Sequence, residues 1–149
     1  MTSEPPAVFS VTREDGLTLS SDRHRLDLDR IKAWLAASYW AAGRPGEAVE
    51  RSIAHSRPYG VYRGSGEQVA FARVTTDLVS FAWIGDVVVD EASRGQGIAH
   101  WMLPLIVGDL RAHGPRRIVL VTRDAHRVYT DIGFTPLRQP EMWLELEQR

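Results

Sequence analysis

A glycine-bearing loop after an apolar strand is the stretch of the sequence most suited to chemistry. Val87-Val88-Val89 leads into a short loop that contains Arg94, and Gly95-Gln96-Gly97-Ile98-Ala99 opens the next helix. The first amides of a helix have no partner within it, and with the helix dipole they attract anions. Because the small residues let the backbone approach a ligand and Arg94 adds a positive charge, this stretch predicts a phosphate or pyrophosphate site.

Two known phosphate motifs do not fit this loop. A P-loop needs Gly, four residues, then Gly-Lys followed by Ser or Thr, and no such string is present. A dinucleotide fingerprint needs a third glycine at position 100, where the chain has His100. It also needs its first glycine directly after the strand, whereas five residues separate Val89 from Gly95. Taken alone, Gly95-Gln96-Gly97 is equally consistent with a helix start that uses glycines in a turn.

Hydrophobic periodicity predicts the elements that position this loop. Strands are expected over residues 8–12, 17–20, 59–62, 68–76, 81–89, 117–121, 134–135 and 142–146. Helices are expected over residues 27–39, 47–55, 98–110 and 125–132. The apolar stripe of the first helix consists of Leu28, Ile31, Leu35 and Tyr39. This order predicts a mixed α/β sheet, and we expect one domain over residues 1–149 with a loose arm at residues 1–6.

Two residues inside these elements predict local irregularity. Gly85 lies beside Asp86 within the strand 81–89, where a glycine often marks a bulge or a close backbone approach. Pro104 lies within the helix that follows the glycine loop. Because proline removes a helical hydrogen bond, we expect this helix to kink or loosen there while its first turn stays intact.

Composition excludes several classes of protein. The 149 residues carry 18 basic and 19 acidic side chains, for a formal charge of −1, so a net-basic nucleic-acid binder is not expected. The absence of Cys excludes disulfides, Cys-ligated zinc and thiol catalysis. The five histidines show no metal-binding spacing, so no metal is expected. No apolar run reaches the roughly 18 residues of a membrane span, and the N-terminus lacks the pattern of a signal peptide. We therefore expect a cytoplasmic protein with no nucleic-acid or membrane partner.

Two segments resemble the GNAT family of N-acetyltransferases. Arg94-Gly95-Gln96-Gly97-Ile98-Ala99 is similar to the family signature Arg/Gln-x-x-Gly-x-Gly/Ala, and residues 86–91 resemble the strand that leads into it. Ala125-His126-Arg127-Val128-Tyr129-Thr130-Asp131-Ile132-Gly133-Phe134 resembles the second motif, Ala-x-x-φ-Tyr-x-x-x-Gly-Phe. A helix and a strand separate the two motifs, as in the family. The resemblance is clear over residues 58–146 and weak before them.

The resemblance implies an acyl-CoA N-acyltransferase fold, in which helices flank a mixed, mostly antiparallel sheet. Its central parallel strands, here residues 87–89 and 118–121, would splay apart at a bulge near Asp86. The pyrophosphate of acetyl-CoA would lie on the amides of residues 95–99, and the pantetheine arm would pair with the backbone of Val87 and Val89. Thr122 or Asp124 stands where many family members carry Asn. The implied cofactor-binding residues are Val87, Val88, Val89, Arg94, Gly95, Gln96, Gly97, Ile98, Ala99 and Asp124.

The resemblance also implies direct acetyl transfer to a neutral amine, with no covalent enzyme intermediate. Tyr129 would protonate the leaving thiolate, and the alternative is an aromatic ring that packs the short helix on the core. Asp86 is the best candidate for the base that accepts the proton of the amine, directly or through water. The alternatives for Asp86 are a structural carboxylate that caps nearby N–H groups, or a carboxylate that attracts an ammonium substrate. His126 is a candidate relay or an exposed helix residue.

The leading hypothesis is an acetyl-CoA-dependent N-acetyltransferase that acts on a primary amine of a small molecule, without a metal. A homodimer is compatible with the sequence, since dimers are common among such enzymes. A second hypothesis is an acyl-CoA-binding regulatory module that lacks catalysis, which predicts binding without transfer. A third is a protein N-acetyltransferase within a complex. The acceptor half of the sequence carries no pattern that separates the first hypothesis from the third.

Overall fold

Six strands form one sheet in which the spatial order of the strands follows the sequence. The computed structural model describes residues 4–148. The strands are β1 Ser10–Thr12, β2 Thr18–Ser20, β3 Arg57–Tyr62, β4 Gln68–Thr76, β5 Ala82–Val89 and β6 Ile118–Val119. Neighbouring strands from β1 to β5 are antiparallel, and β5 and β6 are parallel. The prediction of a mixed, mostly antiparallel sheet with one parallel pair is confirmed.

Four helices cover the two faces of this sheet: α1 Leu28–Ala36, α2 Gly46–Ala54, α3 Ile98–His113 and α4 His126–Thr130. Short 3-10 turns occupy Arg23–Arg25, Glu91–Ser93 and Pro140–Met142. The side chain of Asp27 caps α1 by accepting a hydrogen bond from the amide of Arg30 at 3.1 Å.

The side chains of the sheet alternate between two cores. On one face, Ala70, Ala72 and Val74 of β4 pack with the apolar side of α3. On the other face, Phe71 packs with the buried residues of α1 and α2. Since Arg73 lies between Ala72 and Val74, the alternation directs its side chain to the face that carries α1 and α2.

The first helix is shorter than predicted. It ends at Ala36, and Tyr39, expected on its apolar stripe, is 52% exposed. The hydroxyl of Ser38 donates to the carbonyl of Leu35 at 2.7 Å and accepts from the amide of Ala41 at 3.1 Å. These bonds close the last turn and direct residues 37–45 into an irregular loop.

The prediction of C-terminal strands over residues 134–135 and 142–146 is wrong, since the described chain has no strand there. The strand β6 is also shorter than the predicted range 117–121. The amide of Phe134 donates to the carbonyl of Tyr129 at 3.1 Å and so closes α4 instead of joining the sheet. Pro136 and Pro140 have no amide hydrogen to give to a strand ladder, and Pro140 starts a 3-10 turn.

Pro104 does not interrupt α3, which runs continuously from Ile98 to His113. The helix therefore has no break at Pro104, and the predicted kink or loosening stays a prediction. Pro104 lies on the exposed side of the helix. The carbonyl that loses its partner belongs to His100, which is also exposed, so water can replace the missing hydrogen bond.

A buried ion pair ties α3 to the sheet. Arg57 donates to Oδ2 of Asp109 from Nε at 3.0 Å and from Nη2 at 2.8 Å, and the hydroxyl of Tyr59 donates to the same oxygen at 2.5 Å. The side chains of Arg57 and Asp109 are 10% and 6% exposed. Burial, followed by the hydrogen bond to Asp109, raises the pKa of Tyr59 and keeps its hydroxyl a donor.

We expect Asp109→Asn to lower the free energy of unfolding by about 3 kcal/mol, because it leaves a largely buried guanidinium without its counter-charge. Urea unfolding followed by circular dichroism measures this change. Glu50→Gln is the control, since it breaks the more exposed ion pair of Glu50 with Lys32 at 2.9 Å and should change stability little. Equal losses in the two variants would show that burial of the Arg57–Asp109 pair does not increase its contribution to the free energy of unfolding.

Candidate active site

The glycine-bearing turn between β5 and α3 presents a row of unpaired amides. Gly95 and Gly97 both adopt left-handed conformations, with φ of +79° and +70°. The first helical hydrogen bond of α3 runs from the amide of Trp101 to the carbonyl of Gly97 at 3.0 Å. In the described chain, the amides of residues 95–100 donate to no protein acceptor. A row of donors at the start of a helix of 16 residues is suited to bind an anion.

The two glycines also keep this turn open. A Cβ placed on Gly95 or Gly97 would meet no heavy atom within 4 Å, so the space beside the turn is free. Any other residue at these positions would be strained by the positive φ. The side chain of Arg94 bends back, and its Nε donates to the carbonyl of Val89 at 3.3 Å. The turn therefore offers backbone amides and open space together.

Arg63 adds a second positive charge beside the turn. It follows β3, and its Nη2 donates to Oγ of Ser93 at 2.8 Å and to Oε1 of Gln96 at 3.3 Å. Within residues 4–148, it forms no ion pair with a carboxylate. Its charge therefore remains available to an anion that lies on the amides.

The parallel strands β5 and β6 separate as they approach this turn. They pair only at Ala82 with Ile118 and at Trp83 with Val119, whereas β5 continues to Val89. No strand of the described chain lies on that side of β5 from Ile84 onward. The exposed backbone of this strand can pair with an extended, peptide-like molecule inserted between the two strands.

The bulge expected near Asp86 is present. The register between β4 and β5 shifts between Phe71 and Arg73, where β5 contains one extra residue. Asp86 has φ of +51°, a conformation that non-glycine residues rarely adopt. The bulge turns the Asp86 side chain toward the face that carries α1 and α2, where it meets residues of the loop after α1.

Asp86 is the centre of a buried polar cluster. Its Oδ2 accepts from Nη1 of Arg44 at 2.7 Å and from Nε of Arg73 at 2.8 Å, and its Oδ1 accepts from Nε1 of Trp40 at 3.0 Å. The side chain of Asp86 is only 3% exposed. Burial raises its pKa, but the bonds from Arg44, Arg73 and Trp40 outweigh burial and hold the pKa below its ordinary value. A carboxylate held in this way is a weak base, so the contacts favour the structural alternative.

Tyr129 lies on α4 and is largely buried. Its ring packs edge-on against Phe134, with the ring centroids 5.8 Å apart. Burial, followed by the nearby Tyr39, raises the pKa of Tyr129, so the hydroxyl is protonated at neutral pH. The packing of the ring agrees with the second of the two alternatives, and the role of Tyr129 as a proton donor stays a prediction.

The loop after α1 links the region of Asp86 with that of Tyr129. Trp40 donates to Asp86, and its ring packs edge-on against Tyr39 with the centroids 5.1 Å apart. Arg123 lies over the ring of Tyr39 at 3.7 Å from the centroid. Because Tyr39 and Trp40 are half-exposed, they form an aromatic wall that a second substrate can contact.

The remaining predicted residues lie at the edge of this region. Asp124 is exposed and pairs with Arg123 at 3.5 Å, while the hydroxyl of Thr122 accepts from the amide of Ala125 at 3.0 Å in the turn before α4. His126 is exposed on α4. The predicted roles of Asp124 and His126 in binding and proton relay stay predictions.

Sequence reasoning missed Arg63 and Arg73 as parts of this region. Arg73 could have been found from the sequence, because a single charge within the apolar strand Gln68–Thr76 must find a partner. No feature of the sequence marks Arg63, since its contacts depend on how distant segments pack. In the described part of the chain, no group of three or more His, Asp or Glu side chains could hold a metal ion. Among residues 4–148, no helix is long and apolar enough to cross a bilayer.

Comparison with known proteins gives matches over most of the chain. The Acetyltransferase (GNAT) family model matches residues 23–134. A protein of Gibberella zeae named as an acetyltransferase is 30% identical over 149 aligned residues, which cover 86% of this chain and 84% of that protein.

Solved structures share the fold. The crystal structure of an acetyltransferase of the GNAT family from Xanthomonas campestris pv. campestris is 35% identical, with a TM-score of 0.81, and the match covers 96% of this chain and 94% of that one. An acetyltransferase of Clostridium acetobutylicum, solved with acetyl-CoA, is 18% identical with a TM-score of 0.57, and the match covers 82% of this chain and 92% of that one.

The matched region contains the amides of the glycine turn, the bulge at Asp86 and the helix that carries Tyr129. The overall fold, with its mixed sheet flanked by helices, agrees with that of the solved relative that is 35% identical. The chain therefore belongs to the acetyltransferase (GNAT) family.

Proposed function

We propose that this acetyltransferase moves the acetyl group of acetyl-CoA to a primary amine of a small molecule. The observation that carries the proposal is the row of unpaired amides at residues 95–100, which opens beside the gap between β5 and β6. A diphosphate needs clustered donors, and a peptide-like arm needs an open strand edge. This chain places the two side by side.

The residues present fit acetyl-CoA. The left-handed glycines Gly95 and Gly97 leave free space beside their amides, so a diphosphate is not blocked by a side chain. The amides of residues 95–99 would hold the diphosphate, and the backbone of Val87 and Val89 would hold the pantetheine arm. The side chains of Val87 and Val88 pack in the two cores on opposite faces of the sheet, which holds this strand edge in place. When bound, acetyl-CoA supplies the acetyl group as an activated thioester.

Tyr129 is the proton donor in this proposal. Its raised pKa keeps the hydroxyl protonated at neutral pH, and it lies on α4, the helix that follows β6 in the chain. A leaving thiolate departs more readily when it receives a proton as its bond breaks. The proton of the Tyr129 hydroxyl satisfies this requirement, and solvent restores it afterwards.

In this proposal, Asp86 positions the residues that contact the amine acceptor. Its carboxylate fixes Trp40, Arg44 and Arg73 around the bulge, and its three hydrogen bonds make it a weak proton acceptor. The proton released by the attacking amine then passes to water instead of to Asp86. Tyr39 and Trp40 form the wall against which the apolar part of the amine packs.

A thiol-release assay with acetyl-CoA and a panel of small amines tests the function. We expect free coenzyme A and acetylated amine, identified by mass spectrometry, in equal amounts. Acetyl-CoA binding by calorimetry without transfer to any amine would instead favour a regulatory module. Transfer restricted to peptide substrates would favour a protein N-acetyltransferase.

Arg63→Gln should weaken acetyl-CoA binding about tenfold in the dissociation constant. The reason is that the guanidinium beside the amides is not neutralised by a carboxylate, and a charge-assisted contact contributes about 1.5 kcal/mol. Isothermal titration calorimetry measures the effect, which should shrink as salt is added.

Arg51→Gln, on the exposed side of α2, is the matched control and should leave the dissociation constant unchanged. An unchanged dissociation constant for Arg63→Gln would remove Arg63 from the binding site while leaving the amides of the turn in place.

A further inference from the structure

Two arginines share the carboxylate of Asp86 and keep donors that no protein atom uses. Arg44 donates to Asp86 from Nη1 alone, and Arg73 donates to Asp86 from Nε and to two hydroxyls from Nη1. Within residues 4–148, Nε and Nη2 of Arg44 and Nη2 of Arg73 therefore have no protein acceptor. These N–H groups can donate to another molecule.

The remaining donors of both arginines reach solvent. The side chains of Arg44 and Arg73 are 27% and 17% exposed. In the described chain, the only buried side-chain nitrogen or oxygen atoms without a hydrogen-bond partner are Nε of Arg30 and the hydroxyl of Tyr62. Since no donor of Arg44 or Arg73 is among them, an incoming molecule can contact these donors.

The two remaining nitrogens of Arg44 form a fork that fits a carboxylate. Nε and Nη2 lie on one edge of the planar guanidinium, and two parallel N–H bonds from such an edge match the two oxygens of a carboxylate. Arg13 shows this arrangement in the same chain, since its Nε donates to Oδ1 of Asp15 at 3.0 Å and its Nη2 donates to Oδ2 at 2.7 Å. The same edge of Arg44 can hold the carboxylate of a bound molecule while Nη1 stays on Asp86.

The cluster around Asp86 has an unbalanced positive charge. Arg44 and Arg73 both pair with Asp86, and among residues 4–148 neither forms an ion pair with another carboxylate. Two guanidinium groups thus share one negative charge, and the excess matches the single charge of a carboxylate. A phosphate monoester, with a charge of about −1.5 to −2 at neutral pH, would exceed it.

Aromatic rings lie on the same face of the sheet as this cluster. Trp40 donates to Asp86 and is 43% exposed. Trp83 is 38% exposed, and because its two neighbours in β5 are buried in the core beneath α3, its side chain points to the opposite face. A Cβ placed on Gly85, the partner of Arg73 in the sheet, would lie 3.5 Å from Nε1 of Trp83. A molecule held at the cluster can therefore also pack an apolar frame against these rings.

We propose that the acceptor amine also carries a carboxylate, which the Nε and Nη2 edge of Arg44 binds beside Arg73. The inference rests on the proposed acetyl transfer and names the class of amine that the site selects, an amino acid or another aminocarboxylic acid with an apolar frame. Without a carboxylate, an amine in its ammonium form would be repelled by the excess positive charge of the cluster. The carboxylate compensates this charge and removes the repulsion.

Isothermal titration calorimetry with matched pairs of acid and amide tests the binding of the carboxylate. The pairs are para-(aminomethyl)benzoate with para-(aminomethyl)benzamide, phenylalanine with phenylalaninamide, and β-alanine with β-alaninamide. In the pair whose frame fits the site, the acid should bind about tenfold more tightly than the amide, as expected for a charge-assisted contact. If the acid bound no more tightly than the amide in every pair, the proposal would be overturned.

Variants of Arg44 test which residue binds the carboxylate. Arg44→Gln leaves Arg73 and Trp40 on Asp86, and it should lower the ratio of the two affinities from about tenfold to about one. Arg44→Lys keeps the charge without the fork and should retain part of the ratio. Arg51→Gln, on the exposed side of α2, is the control and should keep the full ratio. Damage to the fold would weaken the binding of acid and amide alike, so a fall in the ratio itself reports the lost fork. A full ratio in Arg44→Gln would contradict the proposal.

Thiol release from acetyl-CoA with the same pairs separates this inference from the transfer function. At equal concentrations of neutral amine, the acid of the pair that fits should have a kcat/KM about tenfold higher than that of its amide. Acetylation of every amide as fast as its acid would overturn the inference and leave the transfer function in place. Selective binding of an acid, with no acetylation of any amine, would overturn the transfer function and leave the carboxylate site in place.

Discussion

Replacing Tyr129 by Phe should lower kcat about 100-fold and leave the KM for acetyl-CoA nearly unchanged. A positioned proton donor typically contributes about 100-fold or more to a rate, and Phe keeps the ring that packs on Phe134. The loss therefore falls on proton donation and spares the fold. Steady-state kinetics of thiol release measure kcat and KM separately.

The pH profile provides a second readout for this variant. Burial and Tyr39 raise the pKa of Tyr129 above its ordinary value of 10.0. The wild-type enzyme should therefore lose kcat only above about pH 10, as the hydroxyl ionises, and the variant should lack this alkaline limb. If Tyr129→Phe lost kcat at the same alkaline pH as the wild type, the ionisation responsible would belong to another group.

Tyr62→Phe is the matched control. The Tyr62 hydroxyl is buried and has no hydrogen-bond partner in the described chain, and burial raises its pKa to about 12. Removing this hydroxyl should leave kcat unchanged. If Tyr129→Phe retained full kcat, or if both variants lost the same activity, Tyr129 would not be the proton donor.

Asp86→Asn should destabilise the protein by about 3 kcal/mol and also impair acetyl transfer. The substitution leaves Arg44 and Arg73 without their shared counter-charge, and breaking a buried pair costs about 3–5 kcal/mol. Asn tolerates the left-handed backbone conformation at this position, so the substitution removes the charge and keeps the conformation. Urea unfolding at neutral pH measures the loss, and Asp29→Asn, at an exposed position of α1, should change stability little.

The pH dependence of this effect has a defined sign. The pKa of Asp86 is lowered from its ordinary value of 3.8, so the folded state binds the proton more weakly than the unfolded chain does. The stability contributed by the carboxylate is therefore complete above pH 3.8 and is lost as the pH falls through the folded pKa. The difference between the wild type and Asp86→Asn should be constant between about pH 5 and pH 7 and should shrink in acid. A difference that grew as the pH fell would contradict the ion-pair account.

The activity of Asp86→Asn separates positioning from base catalysis. If Asp86 positions the acceptor wall, the KM for the amine should rise, and the acid limb of the pH profile should still follow the pKa of each amine. If Asp86 were the base, kcat should fall with little change in the KM for the amine. Comparison of two amines of different pKa distinguishes these outcomes.

The parts of the structure that the sequence predicted are those set by neighbours along the chain. The helix start at Gly97 follows from local spacing, and the structure places left-handed glycines and unpaired amides there. The irregularity next to Gly85 also depends on a local signal, and it is a β-bulge at Asp86. Local conformational preferences determine such features, so a single sequence contains enough information to predict them.

The parts that it did not predict depend on distant contacts. Arg44 and Arg73 lie 42 and 13 positions from Asp86, and only the packing of α1, β4 and β5 brings their charges to one carboxylate. The strand predicted over residues 142–146 fails for a different reason. Its alternation is typical of a strand, but a strand forms only where it pairs with the edge of another, and these residues pair with no strand of the described chain.

Crystals of this protein grown with coenzyme A test the central claim most directly. The account predicts electron density for the diphosphate on the amides of residues 95–99, with the pantetheine arm between β5 and β6 and the sulfur near the hydroxyl of Tyr129. Coenzyme A bound elsewhere on the molecule, or an empty gap beside an ordered glycine turn, would contradict it.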